Sequence, residues 1–108
     1  MSEHRNEKII NAIKESAAIF IEKEAGKTSL ITVTRVLMSE DKRRADIMIS
    51  VIPREKENAA YGFVKRNLTE LRKNIAKSLK INPVPFLDVK IDEGEKNRQK
   101  IDELLING

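Results

Sequence analysis

The sequence has no cysteine, no tryptophan and a single histidine, His4. The absence of thiols excludes disulfide scaffolds, cysteine nucleophiles and cysteine-ligated zinc sites. His4 lies in a charged stretch at the start of the chain, where it is a poor general base and a poor metal ligand. No apolar run approaches the roughly 18 residues of a membrane-spanning helix, and the charged start does not resemble a secretion signal. We therefore expect a cytoplasmic protein without a metal ion or another cofactor.

Glycine is also scarce, and its positions exclude several motifs. The four glycines are far apart in the chain: Gly26, Gly62, Gly94 and Gly108. They form no phosphate-binding loop of the GxxxxGK type, no GxSxG elbow and no GxxG loop of a standard KH domain. Four acids near the end faintly resemble a cation site: Asp88, Asp92, Glu93 and Glu95. Acids at strand ends, however, usually solvate a turn. We expect no enzymatic activity.

The remaining patterns predict one α+β domain over residues 1–108, with residues 1–6 and 107–108 flexible. Apolar residues at helical spacing, β-branched runs and alternating polarity predict a helix, two strands, a long helical region, a third strand and a short last helix. Their bounds are Glu7–Glu24, Ser29–Ser39, Arg44–Ile52, Asn58–Leu79, Val84–Asp92 and Glu95–Ile106. The short polar connection between the first two strands favours an antiparallel hairpin. The prolines before the third strand favour an irregular or edge position.

Positive charge is concentrated in the long helical region. The whole chain carries +4, whereas residues 65–80 alone hold six basic residues against one acid, Glu70. On one helical wheel the six lie within an arc of about 140° beside the apolar stripe: Lys65, Arg66, Arg72, Lys73, Lys77 and Lys80. Solubilising charge is the plain alternative, but such faces usually mix signs to gain ion pairs one turn apart. We interpret this basic row as a binding site for the phosphate backbone of RNA.

Two further features qualify this interpretation. The chain has four aromatic residues, too few for the aromatic strands of an RRM, so we expect recognition of shape and phosphate more than of base edges. Gly62 stands inside the helical pattern, where it costs about 1 kcal/mol relative to alanine. Such a glycine indicates a kink or a close contact.

Several segments, in the same order and spacing, resemble the ribosome-binding factor A family. Residues 31–36, 39–41 and 45–51 resemble the family's paired strands and the turn between them. Residues 60–66 resemble its A-x-G element with the basic helix that follows. Residues 71–81, 85–87 and Asp92 resemble its L-R…P-x-L…D ending. The resemblance implies a type II KH-like fold, α-β-β-α-kink-α-β, with a three-stranded sheet and helices on one face. In it, a kink at Ala60, Tyr61 and Gly62 replaces the GxxG loop.

By the same resemblance, the protein would be a monomer that binds the small ribosomal subunit during late maturation and contacts its ribosomal RNA. Release by an assembly GTPase is implied in the same way. Two alternatives remain open from the residues themselves. One is a general RNA chaperone that binds many transcripts loosely, and the other is a protein-interaction module with an acidic partner.

Overall fold

The computed structural model describes residues 2–24, 29–79 and 84–95, with side chains from residue 7 to 23 in the first helix. Apart from a short 3₁₀ turn, the order of elements is the predicted one. Their bounds are α1 Ser2–Glu24, β1 Leu30–Met38, β2 Arg44–Ile52, the turn Arg54–Lys56, α2 Glu57–Arg66, α3 Leu68–Leu79 and β3 Phe86–Ile91.

Both ends of the chain differ from the prediction or lie beyond it. Helix α1 begins at Ser2, well before the predicted start at Glu7. Residues 93–95 are helical, but the rest of the predicted last helix, Glu95–Ile106, lies outside the described residues. Residues 107–108, which we expected to be flexible, also lie outside them.

The three strands form one mixed sheet in the order β1-β2-β3. β1 and β2 are antiparallel, so the predicted hairpin is confirmed. β3 pairs in parallel with β2, with Ala45 opposite Leu87 and Ile47 opposite Val89. It is therefore an edge strand, as its prolines indicated. A parallel neighbour requires a crossover connection, which here consists of α2 and α3.

One face of the sheet carries the core, and all three helices pack on it. Alternate residues of β2, including Ala45, Ile47 and Ile49, are fully buried, as the alternation predicted. Burying one isoleucine side chain of this kind contributes about 1.5–3 kcal/mol. The helices complete the same cluster with Ile13, Ala17 and Ile21 of α1, Ala60 and Val64 of α2, and Leu71 and Ile75 of α3. The type II KH-like arrangement with helices on one face is therefore confirmed.

Asn67 interrupts the long helical region and separates α2 from α3. Its amide N–H donates to the Val64 carbonyl at 3.0 Å instead of to Phe63, as an α-helix would require. The Asn67 side chain compensates, because Nδ2 donates to the Phe63 carbonyl at 2.8 Å. The Asn67 carbonyl then accepts the Leu71 N–H at 3.0 Å and begins α3.

This finding corrects the position of the kink. The resemblance placed it at Ala60, Tyr61 and Gly62, but α2 runs without interruption from Glu57 to Arg66. Gly62 does not have a positive φ, so the backbone there does not require glycine. A Cβ at Gly62 would lie 3.1 Å from Nη1 of Arg66. Because that atom is the end of an exposed and flexible side chain, a small shift of Arg66 would accommodate the Cβ.

A buried carboxylate, Asp92, joins the two outer strands across β2. The register of β1 shifts between Val33 and Arg35, which leaves Thr34 as the extra residue of a β-bulge. The Thr34 hydroxyl donates to Asp92 Oδ2 at 2.6 Å, and Arg35 Nε lies 3.3 Å from the same oxygen. Asp92 Oδ1 accepts the Glu95 N–H at 3.1 Å. Asp92 is 4% exposed, so these partners must supply the hydrogen bonds that water would otherwise make.

The Asp92 contacts predict a pH-dependent loss of stability. The Thr34 hydroxyl, aided by the Glu95 amide and by Arg35, lowers the pKa of Asp92 although burial opposes this shift. The ionised carboxylate therefore stabilises the fold above its unfolded pKa of about 3.9. That contribution is lost as the pH falls through the lower folded pKa. We expect Asp92→Asn to reduce the free energy of unfolding at neutral pH by about 1–3 kcal/mol.

Urea unfolding at neutral and acidic pH measures this effect. The difference between the parent protein and Asp92→Asn should shrink as the pH is lowered below about 4, because the parent carboxyl is then protonated. Glu93→Gln is the matched control, since Glu93 is exposed beside it. A difference that does not change with pH would contradict the assignment.

Candidate nucleic-acid interface

The interruption at Asn67 divides the predicted basic row between two helices. Lys65 and Arg66 lie in the last turn of α2, whereas Arg72, Lys73 and Lys77 lie on α3. Lys80 lies outside the described residues. The single wheel that gave one 140° arc assumed a continuous helix, so the members of the row have to be considered one by one.

Lys65 is committed to an acid of β3 within the free protein. Its Nζ lies 2.6 Å from Asp88 Oδ1, and Asp88 Oδ2 lies 3.2 Å from Nη2 of Arg44. Asp88 Oδ1 also accepts the Val89 N–H at 2.8 Å. Because the Phe86 N–H donates to the carbonyl of Arg43, the residue just before β2, alternation directs the Val89 N–H away from β2 to the open edge. Asp88 therefore caps this edge while it holds Lys65.

The charges of this pair stabilise each other. Partial burial raises the pKa of Asp88, but the hydrogen bonds from Lys65 and Val89 outweigh it, and the net pKa is lowered. The Asp88 hydrogen bond raises the pKa of Lys65. Both groups are therefore ionised at neutral pH. A phosphate would have to displace Asp88 before it could pair fully with Lys65.

Arg72 holds the segment that leads into β3. Its Nη2 donates to the Val84 carbonyl at 2.8 Å, and its Nε donates to the Pro85 carbonyl at 3.4 Å. Val84 and Pro85 are buried, whereas Arg72 is exposed. Carbonyl groups do not neutralise a guanidinium, so Arg72 keeps its positive charge at the surface. The residue combines a structural contact with membership of the basic row.

The other described members of the row are less committed. Lys73 Nζ lies 3.8 Å from Glu70 Oε1, with side chains 72% and 66% exposed, and an exposed pair of this kind is worth about 0–1 kcal/mol. Arg66 and Lys77 are exposed. Within the described part of the chain, neither forms a salt bridge. The outer face of α3 therefore presents Arg72, Lys73 and Lys77 to solvent against one weakly paired acid.

A second charged group lies on the open face of the sheet and was not predicted. Asp46 and Asp88 are opposite each other in β2 and β3, and Arg44 contacts both at 3.2 Å. Lys90 Nζ contacts Asp46 at 3.1 Å. The alternation of both strands had placed Asp46, Asp88 and Lys90 away from the core. Their pairing could not be derived because it depends on the register between β2 and β3.

The acids once considered for a cation site do not assemble into one. Asp88 is occupied by Lys65 and Arg44, and Asp92 by Thr34 and Arg35. Among the residues described, no three His, Cys, Asp or Glu side chains are grouped to hold a metal ion. In the same residues, no helix has the length and apolar character needed to cross a membrane.

Comparison with known proteins identifies a family for this arrangement. Residues 5–105 match the family model described as ribosome-binding factor A. Among curated relatives, ribosome-binding factor A of Thermosipho africanus is 32% identical over 109 residues, covering 95% of this chain and 86% of that protein. The Thermosipho melanesiensis protein of the same name is 34% identical over 110 residues, covering 95% of this chain and 87% of the relative.

Solved structures share the fold. The crystal structure of ribosome-binding factor A from Thermus thermophilus aligns with a TM-score of 0.68 at 19% identity, covering 78% of this chain and 92% of that one. A homology model of the Thermus thermophilus factor, fitted into the cryo-EM map of a 30S–RbfA complex, aligns with a TM-score of 0.64 at 20% identity. That alignment covers 73% of this chain and 86% of the other.

The contacts of Arg72 predict that its replacement affects stability. Arg72→Lys retains the charge but cannot donate to both carbonyls in the same fixed geometry. We expect the free energy of unfolding in urea to fall by about 1 kcal/mol. Lys77→Arg is the control, because Lys77 is exposed and holds no described carbonyl. Equal stability of Arg72→Lys and the parent protein would show that the contact carries no weight.

Proposed function

The chain belongs to the ribosome-binding factor A family, and from this premise we propose that it binds the small ribosomal subunit during late maturation in the cytoplasm. The factor of the same family that was fitted into a 30S–RbfA map supports this partner, because this chain belongs to that family. From the family alone we also propose that it acts as a monomer, without catalysis, and that an assembly GTPase releases it.

The binding surface that we propose is the exposed face of α3, with ribosomal RNA as its ligand. The observation that carries it is the run of cations at Arg72, Lys73 and Lys77, opposed within the described part of α3 by Glu70 alone. Phosphates that pair with such cations release condensed counterions, and this release drives association in a salt-dependent way. Contacts to phosphates position a protein on RNA without reading its sequence.

The remaining predicted site residues have different roles in this proposal. Arg66 contributes an exposed guanidinium at the end of α2, four residues after Gly62. A part in binding for Ala60, Tyr61 and Gly62 remains a proposal from the sequence. Lys65 contributes to the positive potential of the surface, but its pairing with Asp88 weakens any direct contact of Lys65 with an RNA phosphate. For Lys80, the proposed contact with RNA rests on the sequence alone.

Reversal of two exposed charges on α3, of which Lys73 is only weakly paired, tests the surface. We expect Lys73→Glu combined with Lys77→Glu to weaken binding to isolated small subunits. The slope of log affinity against log salt should become shallower by roughly 0.7–0.9 per lost phosphate contact. Arg72 is left intact because its loss would also disturb β3. Sedimentation binding across a salt series measures both quantities, and circular dichroism checks that the variant is folded.

The matched control reverses two exposed lysines of α1, Lys14→Glu with Lys23→Glu, which gives the same change in net charge. Binding should fall much less in this variant. Unchanged binding by the folded α3 variant, or an equal loss in both variants, would refute the assignment to α3.

A further inference from the structure

One aromatic side chain stands apart from the apolar core. Phe86, the first residue of β3, is 64% exposed. The other three aromatics, Phe20, Tyr61 and Phe63, are partly buried and pack against the core. Single exposed apolar residues are common in proteins, so exposure alone carries no conclusion. The neighbours of Phe86 and the way it is held are what distinguish it.

The backbone of Phe86 is fixed on both sides. Its N–H donates to the Arg43 carbonyl at 2.7 Å, which ties it to the end of the β1–β2 turn. The two residues before it are buried, and their carbonyls are held by Arg72. The ring is therefore presented from a rigid position. Arg72 of the proposed RNA-binding face is a positioning residue for it.

Charged groups surround the ring. Arg44 lies directly opposite Phe86 in β2, and Asp88 and Lys90 follow it on the same face of β3. Arg44 is balanced by Asp46 and Asp88. Arg43, by contrast, is exposed and forms no salt bridge in the described part of the chain. Arg43 interacts electrostatically with Asp41, but no described acid forms a salt bridge with it. An exposed ring whose backbone is joined to such an arginine fits a base together with its phosphate.

The same surroundings disfavour an apolar protein partner. Such a partner requires a contiguous apolar patch. The exposed Leu30 and Ile52 pair with each other at the opposite end of the sheet. The exposed Leu37 pairs with Asp46 and is separated from β3 by the charged side of β2. Phe86 therefore has no apolar neighbour among these residues.

Resting on the proposed function, we infer that Phe86 stacks on an unpaired base of the bound RNA while Arg43 contacts the adjoining phosphate. The bases of a duplex are stacked on each other and offer no free face along the helix. The ligand is therefore RNA that has at least one unpaired nucleotide at the β3 edge of the sheet, in addition to the segment held by α3. Stacking of this kind tolerates any base, so the site recognises an unpaired base without reading its sequence.

The absence of tryptophan from the chain makes a direct test available. Phe86→Trp introduces a single tryptophan, whose emission should be quenched by a short single-stranded RNA. The same strand annealed to its complement should quench it much less. Leu30→Trp is the matched control, because Leu30 is 62% exposed at the far end of the sheet, and its emission should not respond. Equal responses of the two tryptophans, or of the two RNAs, would overturn the inference.

Affinity measurements provide an independent readout. Phe86→Leu should weaken binding of the single strand at least about five-fold, with an unchanged salt slope because no cation is removed. Arg43→Gln should instead reduce that slope by roughly 0.7. A loss of subunit binding by Phe86→Leu without any loss for free RNA would assign the ring to a protein partner and overturn the inference.

These outcomes separate the inference from the proposed function. If Phe86→Leu binds subunits and RNA like the parent protein while reversal of the α3 charges abolishes binding, the stacking contact is wrong and the function stands. If the parent protein binds neither small subunits nor RNA, both fail.

Discussion

The interruption at Asn67 is the constraint on which the rest of the structure depends. A continuous helix over residues 57–79 would be roughly 35 Å long, longer than the roughly 30 Å of a nine-residue strand. The break replaces it with helices of 10 and 12 residues that both pack on the same face of the sheet. The crossover formed by α2 and α3 then leads to β3 beside β2, as a parallel pairing requires. The hydrogen bonds of one asparagine make this break without an unpaired carbonyl at Phe63.

The same break determines what each basic residue can do. The last turn of α2 approaches the edge of β3, where Lys65 meets Asp88, and the first half of α3 approaches the segment before β3, where Arg72 holds two carbonyls. Residues farther along α3 have no such internal partner in the described structure. A row that is uniform in sequence therefore consists of cations that organise β3 and cations that remain available to a polyanion.

Much of the fold could be predicted from the sequence because burial follows the local periods of helix and strand. The apolar stripe of the long helical region identified Ala60, Val64, Leu71 and Ile75, and all four are buried. The stripe continues at the same spacing through the break, so the pattern could not reveal Asn67. Its cap depends on hydrogen bonds that apolar periodicity does not register.

The site was less predictable than the fold. The pairing of Lys65 with Asp88 and of Arg72 with the carbonyls before β3 joins residues more than ten positions apart. Such pairs depend on how the crossover places β3, which no local pattern encodes. The exposure of Phe86, by contrast, follows from local alternation, because Phe86 shares a face with Asp88 and Lys90 and lies out of phase with buried Leu87 and Val89. Only its neighbour in β2, Arg44, depends on the register.

The central claim is that this chain is a small-subunit binding factor that recognises RNA by its phosphates. The most direct test is co-sedimentation of the intact protein with separate small and large ribosomal subunits across a salt series. We expect selective binding to the small subunit that weakens steeply as salt is raised. Equal binding to both subunits and to free RNA would indicate a general RNA binder, and binding that does not respond to salt would contradict recognition through phosphates.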